Sequence, residues 1–130
     1  MLLIPVAPGE LLDKLTILDI KSERIGDPDK LANVRREREL LDQVWRDSGL
    51  ESEEIVALRE HLKSVNESLW EIEDAIRDEE RAGRFGKRFI ELARSVYLTN
   101  DKRAALKKAI NQALGSDIVE EKSYRDYRSG

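Results

Sequence analysis

The chain has 130 residues, 38% of them charged and 5% aromatic, with one histidine and no cysteine. That length supports one domain around one core, and the missing cysteines exclude disulfides, thiol nucleophiles and Cys/His zinc sites. The net charge of −4 hides a division: residues 51–80 hold eleven acids against three bases, a net of −8, and residues 81–114 hold nine bases against two acids, a net of +7.

The opening "MLLIPVAP" is apolar but short, and Pro5 and Pro8 interrupt it. It fits neither a secretion signal nor a membrane span, so an extended segment over residues 1–8 and a cytoplasmic location are expected. "PGELLDKLTILDIKSERI" then reads as a helix, with Pro8 in the first turn and Glu10 complementing the N-terminus. Leu11, Leu15, Leu18 and Ile25 line one face, whereas Ile17 and Ile20 lie nearly opposite. A helix apolar on two sides is central in its own bundle or is buried by a second subunit. In "GDPDK", Gly26 closes that helix, Asp27 caps the next and Pro28 starts it. This second helix runs to about Asp47, with Leu31, Val34, Leu41, Val44 and Trp45 as its core candidates.

The third helix is predicted over residues 52–81. Ile55, Leu58, Leu62, Val65, Leu69, Ile72 and Ile76 follow an unbroken 3-4-3-4-3-4 spacing, a heptad seam. Beyond Gly83, a fourth helix carries Phe89, Leu92, Ala93 and Val96. A fifth follows "TND", with Leu106, Ile110, Ala113 and Leu114, and stops at Gly115. The tail from 116 to 130 is polar, and its "DIVE" is β-compatible with "LIPV" as a small terminal ribbon. The fold class is therefore all-α, a single helical domain of four to five helices.

A second register runs beside the seam of the third helix. Lys63, Asn66, Trp70, Glu73 and Arg77 also follow 3-4-3-4 spacing and form a parallel stripe. As a shoulder, Trp70 covers the core edge and Glu73 pairs with Arg77. As a site, the stripe walls a cleft, with an aromatic for stacking, an amide for orientation and an arginine for an anion. The shoulder is the expected arrangement. Lys102 and Arg103 stand where the fifth helix would begin, beside backbone N–H groups able to receive a phosphate or carboxylate. Structural capping by Thr99 or Asn100, with Asp101 in the first turn, is the default there.

Paired acids raise a metal alternative. Glu51-x-x-Glu54 and Glu71-x-x-Asp74 lie on one helix about 30 Å apart, so no single ion bridges them. A magnesium site would instead need Glu10 and Asp13 of the first helix to face Glu71 and Asp74. Outside that alternative no cofactor is expected. "RFGKRF" alternates bases and aromatics, but Phe85 and Phe89 are four apart and read as packing residues, so nucleic acid is not an expected partner.

The blocks "PVAPGELLDKLTILDIKSERI", "VNESLWEIEDAIR", "FIELARSVYLTNDKRAALKKAIN" and "GSDIVEEKSY" together resemble a small family of bacterial proteins that carry a domain of unknown function. The likeness runs from Pro5 to Tyr124. It implies a short all-helical bacterial protein, loosely associated with sugar transfer and surface polysaccharides, and it assigns no residue a role. The residues favour a non-catalytic helical module that binds a protein partner or itself. The alternative is a small metal-dependent enzyme acting on a phosphorylated or nucleotide-type substrate, and the reading leans against it.

Overall fold

The computed structural model describes residues 1–128. Four helices follow in order: α1 (Pro8–Arg24), α2 (Pro28–Ser48), α3 (Glu53–Arg81) and α4 (Lys87–Ala113). The fold is all-α, and no strand occurs among the described residues. Among them, no helix is long and apolar enough to cross a membrane.

Local chemistry sets most boundaries. Asp27 accepts hydrogen bonds from the backbone N–H groups of Asp29 and Lys30, and Pro28 occupies the first turn of α2. Ser52 caps α3 by accepting from the Ile55 N–H. Gly49, at φ 66°, ends α2, and Gly83, at φ 67°, turns the chain after α3. The first helix stops one residue earlier than expected: it ends at Arg24, and Ile25 rather than Gly26 is its extended C-cap.

Two expectations about the second half require correction. The predicted fourth and fifth helices are one helix, α4, and Thr99, Asn100 and Asp101 lie inside it. Asn, Asp and Thr cost only a few tenths of a kcal/mol each in a helix interior. Packing against α3 along this length outweighs that local preference. The terminal ribbon does not form either. "LIPV" is exposed, and the "DIVE" segment runs beside α4, where Glu120 meets Lys107 at 3.1 Å. Two short strands with no further sheet or helix to cover them lack the burial that sustains a ribbon.

α3 and α4 form a long antiparallel hairpin, and α1 packs against α2, α3 and α4. α2 packs its backbone against α1 alone. The core gathers Leu11, Leu12 and Leu15 of α1, Trp45 of α2, Ile55 and Leu62 of α3 and Ile110 of α4. Ile20, on the second apolar side of α1, is 1% exposed within the single chain, which makes α1 central; Ile17 is half-buried. The Trp45 ring is buried with its Nε1 unpaired. That desolvated donor costs about 1–3 kcal/mol, against the large apolar area that the ring removes from water.

α1 crosses α4 at Gly9. A methyl group there would sit 2.6 Å from the Lys107 carbonyl oxygen and 2.9 Å from Asn111 Oδ1. The obstacle is backbone, so Gly9→Ala is expected to lose about 2–3 kcal/mol by forcing the helices apart. Gly26 has no neighbour within 4 Å, and Gly26→Ala should leave stability level or slightly raised. Urea unfolding followed by circular dichroism measures both, and equal midpoints would mean that the crossing tolerates a side chain.

Candidate functional site

The position of α1 divides the stripe on α3. Lys63 and Asn66 lie beneath α1, whereas Trp70, Glu73 and Arg77 lie nearer the hairpin turn. Lys63 reaches Glu23 at 2.5 Å. Asn66 is buried, and its Nδ2 donates to Asp13 Oδ1 and to Thr16 Oγ1, each at 2.9 Å. Thr16 in turn donates to the Asp13 carbonyl at 2.8 Å. From α4, Arg103 closes the cluster, with Nε donating to Asp13 Oδ1 at 2.9 Å and Nη2 to Oδ2. Three helices thus meet on one buried carboxylate.

A second ring of contacts flanks this one. Lys107 donates to Glu10 at 2.8 Å and also pairs with Glu120 of the tail, and the Gly9 N–H donates to Asn111 Oδ1 at 2.7 Å. The hydrogen bond with Asp13 holds the Arg103 guanidinium above its ordinary pKa, against the opposing effect of burial. Burial disfavours the Lys107 ammonium, but the bonds to Glu10 and Glu120 outweigh it and its pKa is raised. The charged side chains of the two rings are therefore paired with one another. The arrangement fixes the register of α1 on α3 and α4.

The other candidate site residues separate. Arg77 Nε pairs with Glu73 at 2.8 Å on an exposed surface, Trp70 is half-buried and Lys102 is exposed. Lys102 and Arg103 do not sit at a helix N-terminus, because α4 continues through them. The four metal candidates do not converge. Glu10 is bound by Lys107, Asp13 by Arg103 and Glu71 by Arg24 at 3.4 Å, and Asp74 is exposed elsewhere on α3. No group of three or more metal-ligating side chains occurs among the described residues.

Sequence reasoning missed two nodes. Asp19 of α1 receives Arg38 of α2 at 2.5 Å and Arg59 of α3 at 3.6 Å. Shallow hollows of about 350 and 280 Å³ flank it, one between α1 and α2 and one between α1 and α3. Near the hairpin turn, Glu79 is buried and accepts from Arg84 at 2.9 Å and Arg88 at 3.2 Å. The Arg84 hydrogen bond, with the charges of both arginines, lowers its pKa. Neither node has a spacing that a single helix reveals, since each joins groups from different segments.

The uncovered part of the hairpin has a regular layout. On α4, Phe89, Ala93, Val96, Asn100, Arg103 and Lys107 follow a 4-3-4-3-4 spacing. On α3, Lys63, Asn66, Trp70, Glu73 and Arg77 follow 3-4-3-4. Both stripes meet α1 at one end: through Arg103 and Lys107 on α4, and through Lys63 and Asn66 on α3. Towards the turn they continue with no helix over them. Trp70, Phe89, Ala93 and Val96 are all half-buried there, as are the seam residues Leu69, Ile72 and Ile76. Ile90 and Tyr97 beside the α4 stripe are 55% and 43% exposed.

No curated protein and no solved structure matches the chain. A family model described as a family of unknown function, DUF6165, matches residues 2–129. With nearly its whole length covered by that model, the chain belongs to the DUF6165 family.

Proposed function

We propose that the protein is a non-catalytic interaction module whose docking element is the turn-proximal half of the α3–α4 hairpin. One observation carries this reading: the paired stripes that hold α1 continue past it as a half-exposed groove, with Trp70, Phe89, Ala93 and Val96 as its apolar groups and the Glu73–Arg77 ion pair on its α3 side. Two helices alone cover only part of each other's apolar surface, and a third element normally completes the layer. At the base of the hairpin α1 is that element. Nearer the turn the place is open to a partner. The polar cluster at Asp13 supports the same reading, because its groups are engaged in holding helices rather than turned towards a substrate.

A photo-crosslinking amino acid in place of Ile90, beside the groove, tests the proposal in producing cells. The same substitution at Arg36, exposed on α2, is the control. Discrete covalent adducts are expected from position 90 and not from position 36. No adduct at position 90, or the same pattern at both positions, would overturn the assignment of the docking surface.

A further inference from the structure

We infer that the C-terminal tail is a displaceable strap along α4, which closes one edge of the docking element until a partner displaces it. The inference rests on the interaction-module reading and names how that surface is regulated.

The tail retraces α4 towards the hairpin turn. The Ser116 N–H donates to the Asn111 carbonyl at 2.9 Å, and Glu120 meets Lys107 at 3.1 Å. Lys122 then pairs with Asp101, and the Tyr127 ring lies 5.5 Å from the ring of Tyr97. As the tail advances from residue 116 to residue 127, its contacts on α4 step back from 111 to 97. The strap passes Lys107, which also holds Glu10 of α1, and it reaches the place where α1 no longer covers the hairpin. Tyr97 is the helical neighbour of Ala93, four positions earlier in the stripe. Ile90, seven positions before Tyr97, shares its side of the helix. The tail therefore ends on the edge of the groove that carries Tyr97 and Ile90.

The hold on the tail is weak. Residues 117–128 are all exposed, so little apolar burial fixes them. Their anchors on α4 are two ion pairs at the surface and one ring contact. Exposed ion pairs contribute little and are screened by salt. Such a segment opens and closes locally while the helices stay folded. A partner helix is about 10 Å across, so one seated on Ala93 and Val96 also overlies Tyr97 and meets Tyr127. Tail and partner thus compete for one edge. The strapped fraction lowers the apparent affinity for the partner, because only the open molecules accept it across the full width.

The sequence has no cysteine of its own, which allows a direct test. In the intact purified chain, Tyr97→Cys combined with Tyr127→Cys should close an intramolecular disulfide when glutathione disulfide is added. Mass spectrometry follows the rate. Glu120→Lys with Lys122→Glu is then added to that chain, which reverses the tail charges opposite Lys107 and Asp101 and leaves the helices untouched. Circular dichroism checks the fold. Closure should slow about tenfold, since two surface attractions become repulsions. In producing cells, the same tail reversal should raise the adduct yield of the photo-crosslinker at position 90 several-fold and leave position 36 unchanged. Equal closure rates with and without the reversal would overturn the strap. Slower closure with an unchanged yield at position 90 would overturn it as well, and would leave the docking surface standing. No adducts at position 90, with or without the reversal, would remove the docking surface and the inference together.

Discussion

Arg103→Ala is expected to lose about 3–5 kcal/mol of folding stability, more than Asp13→Ala loses. The Asp13 side chain is 2% exposed and the Arg103 side chain 31%. Removing the arginine strands a carboxylate that cannot reach water, with only the Asn66 amide left to it. Breaking a buried pair from one side carries a penalty of that size, because the remaining charge is desolvated without compensation. Removing the aspartate instead leaves a guanidinium with a route to solvent, so about 1–3 kcal/mol is expected. Urea midpoints of the two variants read the asymmetry directly. Replacing both residues with apolar ones, Asp13→Leu with Arg103→Met, should cost less than Arg103→Ala alone, since no orphaned charge remains. Equal losses in the two single variants would mean that Asp13 reaches water by a route that its burial does not suggest.

The second large effect contrasts two leucines on one seam. Leu62 is completely buried and belongs to the core cluster with Leu12, Ile55 and Ile110. Leu62→Ala should cost about 3–4 kcal/mol, the transfer of the lost atoms plus the cavity they leave. Leu69 lies further along the same heptad, towards the turn, and is only half-buried. Leu69→Ala should therefore cost about 1 kcal/mol in the isolated chain, in proportion to the smaller apolar area withdrawn from water. If the two substitutions shift thermal unfolding equally at low protein concentration, the turn-proximal half is as enclosed as the base.

The seam residues were legible because an unbroken heptad fixes one face of a helix whatever surrounds it, and α3 begins and ends within a residue of the expected limits. Asp27 and Pro28 were equally legible, since a cap acts on backbone groups two or three positions away. The same local logic misread "TND" as a helix start. Thr99, Asn100 and Asp101 favour a cap in isolation, and continuous packing on α3 carries the helix through them.

The candidate site divides along the same line. The sequence grouped Asn66 with Trp70 and Arg77, assigned Asp13 to a metal alternative and placed Arg103 at a helix start, with anion binding there as the alternative to capping. The structure joins Asp13, Asn66 and Arg103 on one carboxylate and leaves Arg77 with Glu73 on the surface. Asp13 lies 53 positions from Asn66 and 90 from Arg103, and no periodicity within one helix reports a meeting across three. What the sequence by itself determined was the first three helices, the Asp27–Pro28 start of α2 and the face that the α3 seam presents, all set by interactions within a few residues of each position. What only the tertiary structure decided was where α1 crosses the hairpin. That crossing depends on the close approach at Gly9 and on a carboxylate shared between helices, and it ties one half of each stripe to α1 and leaves the other half without a helix over it.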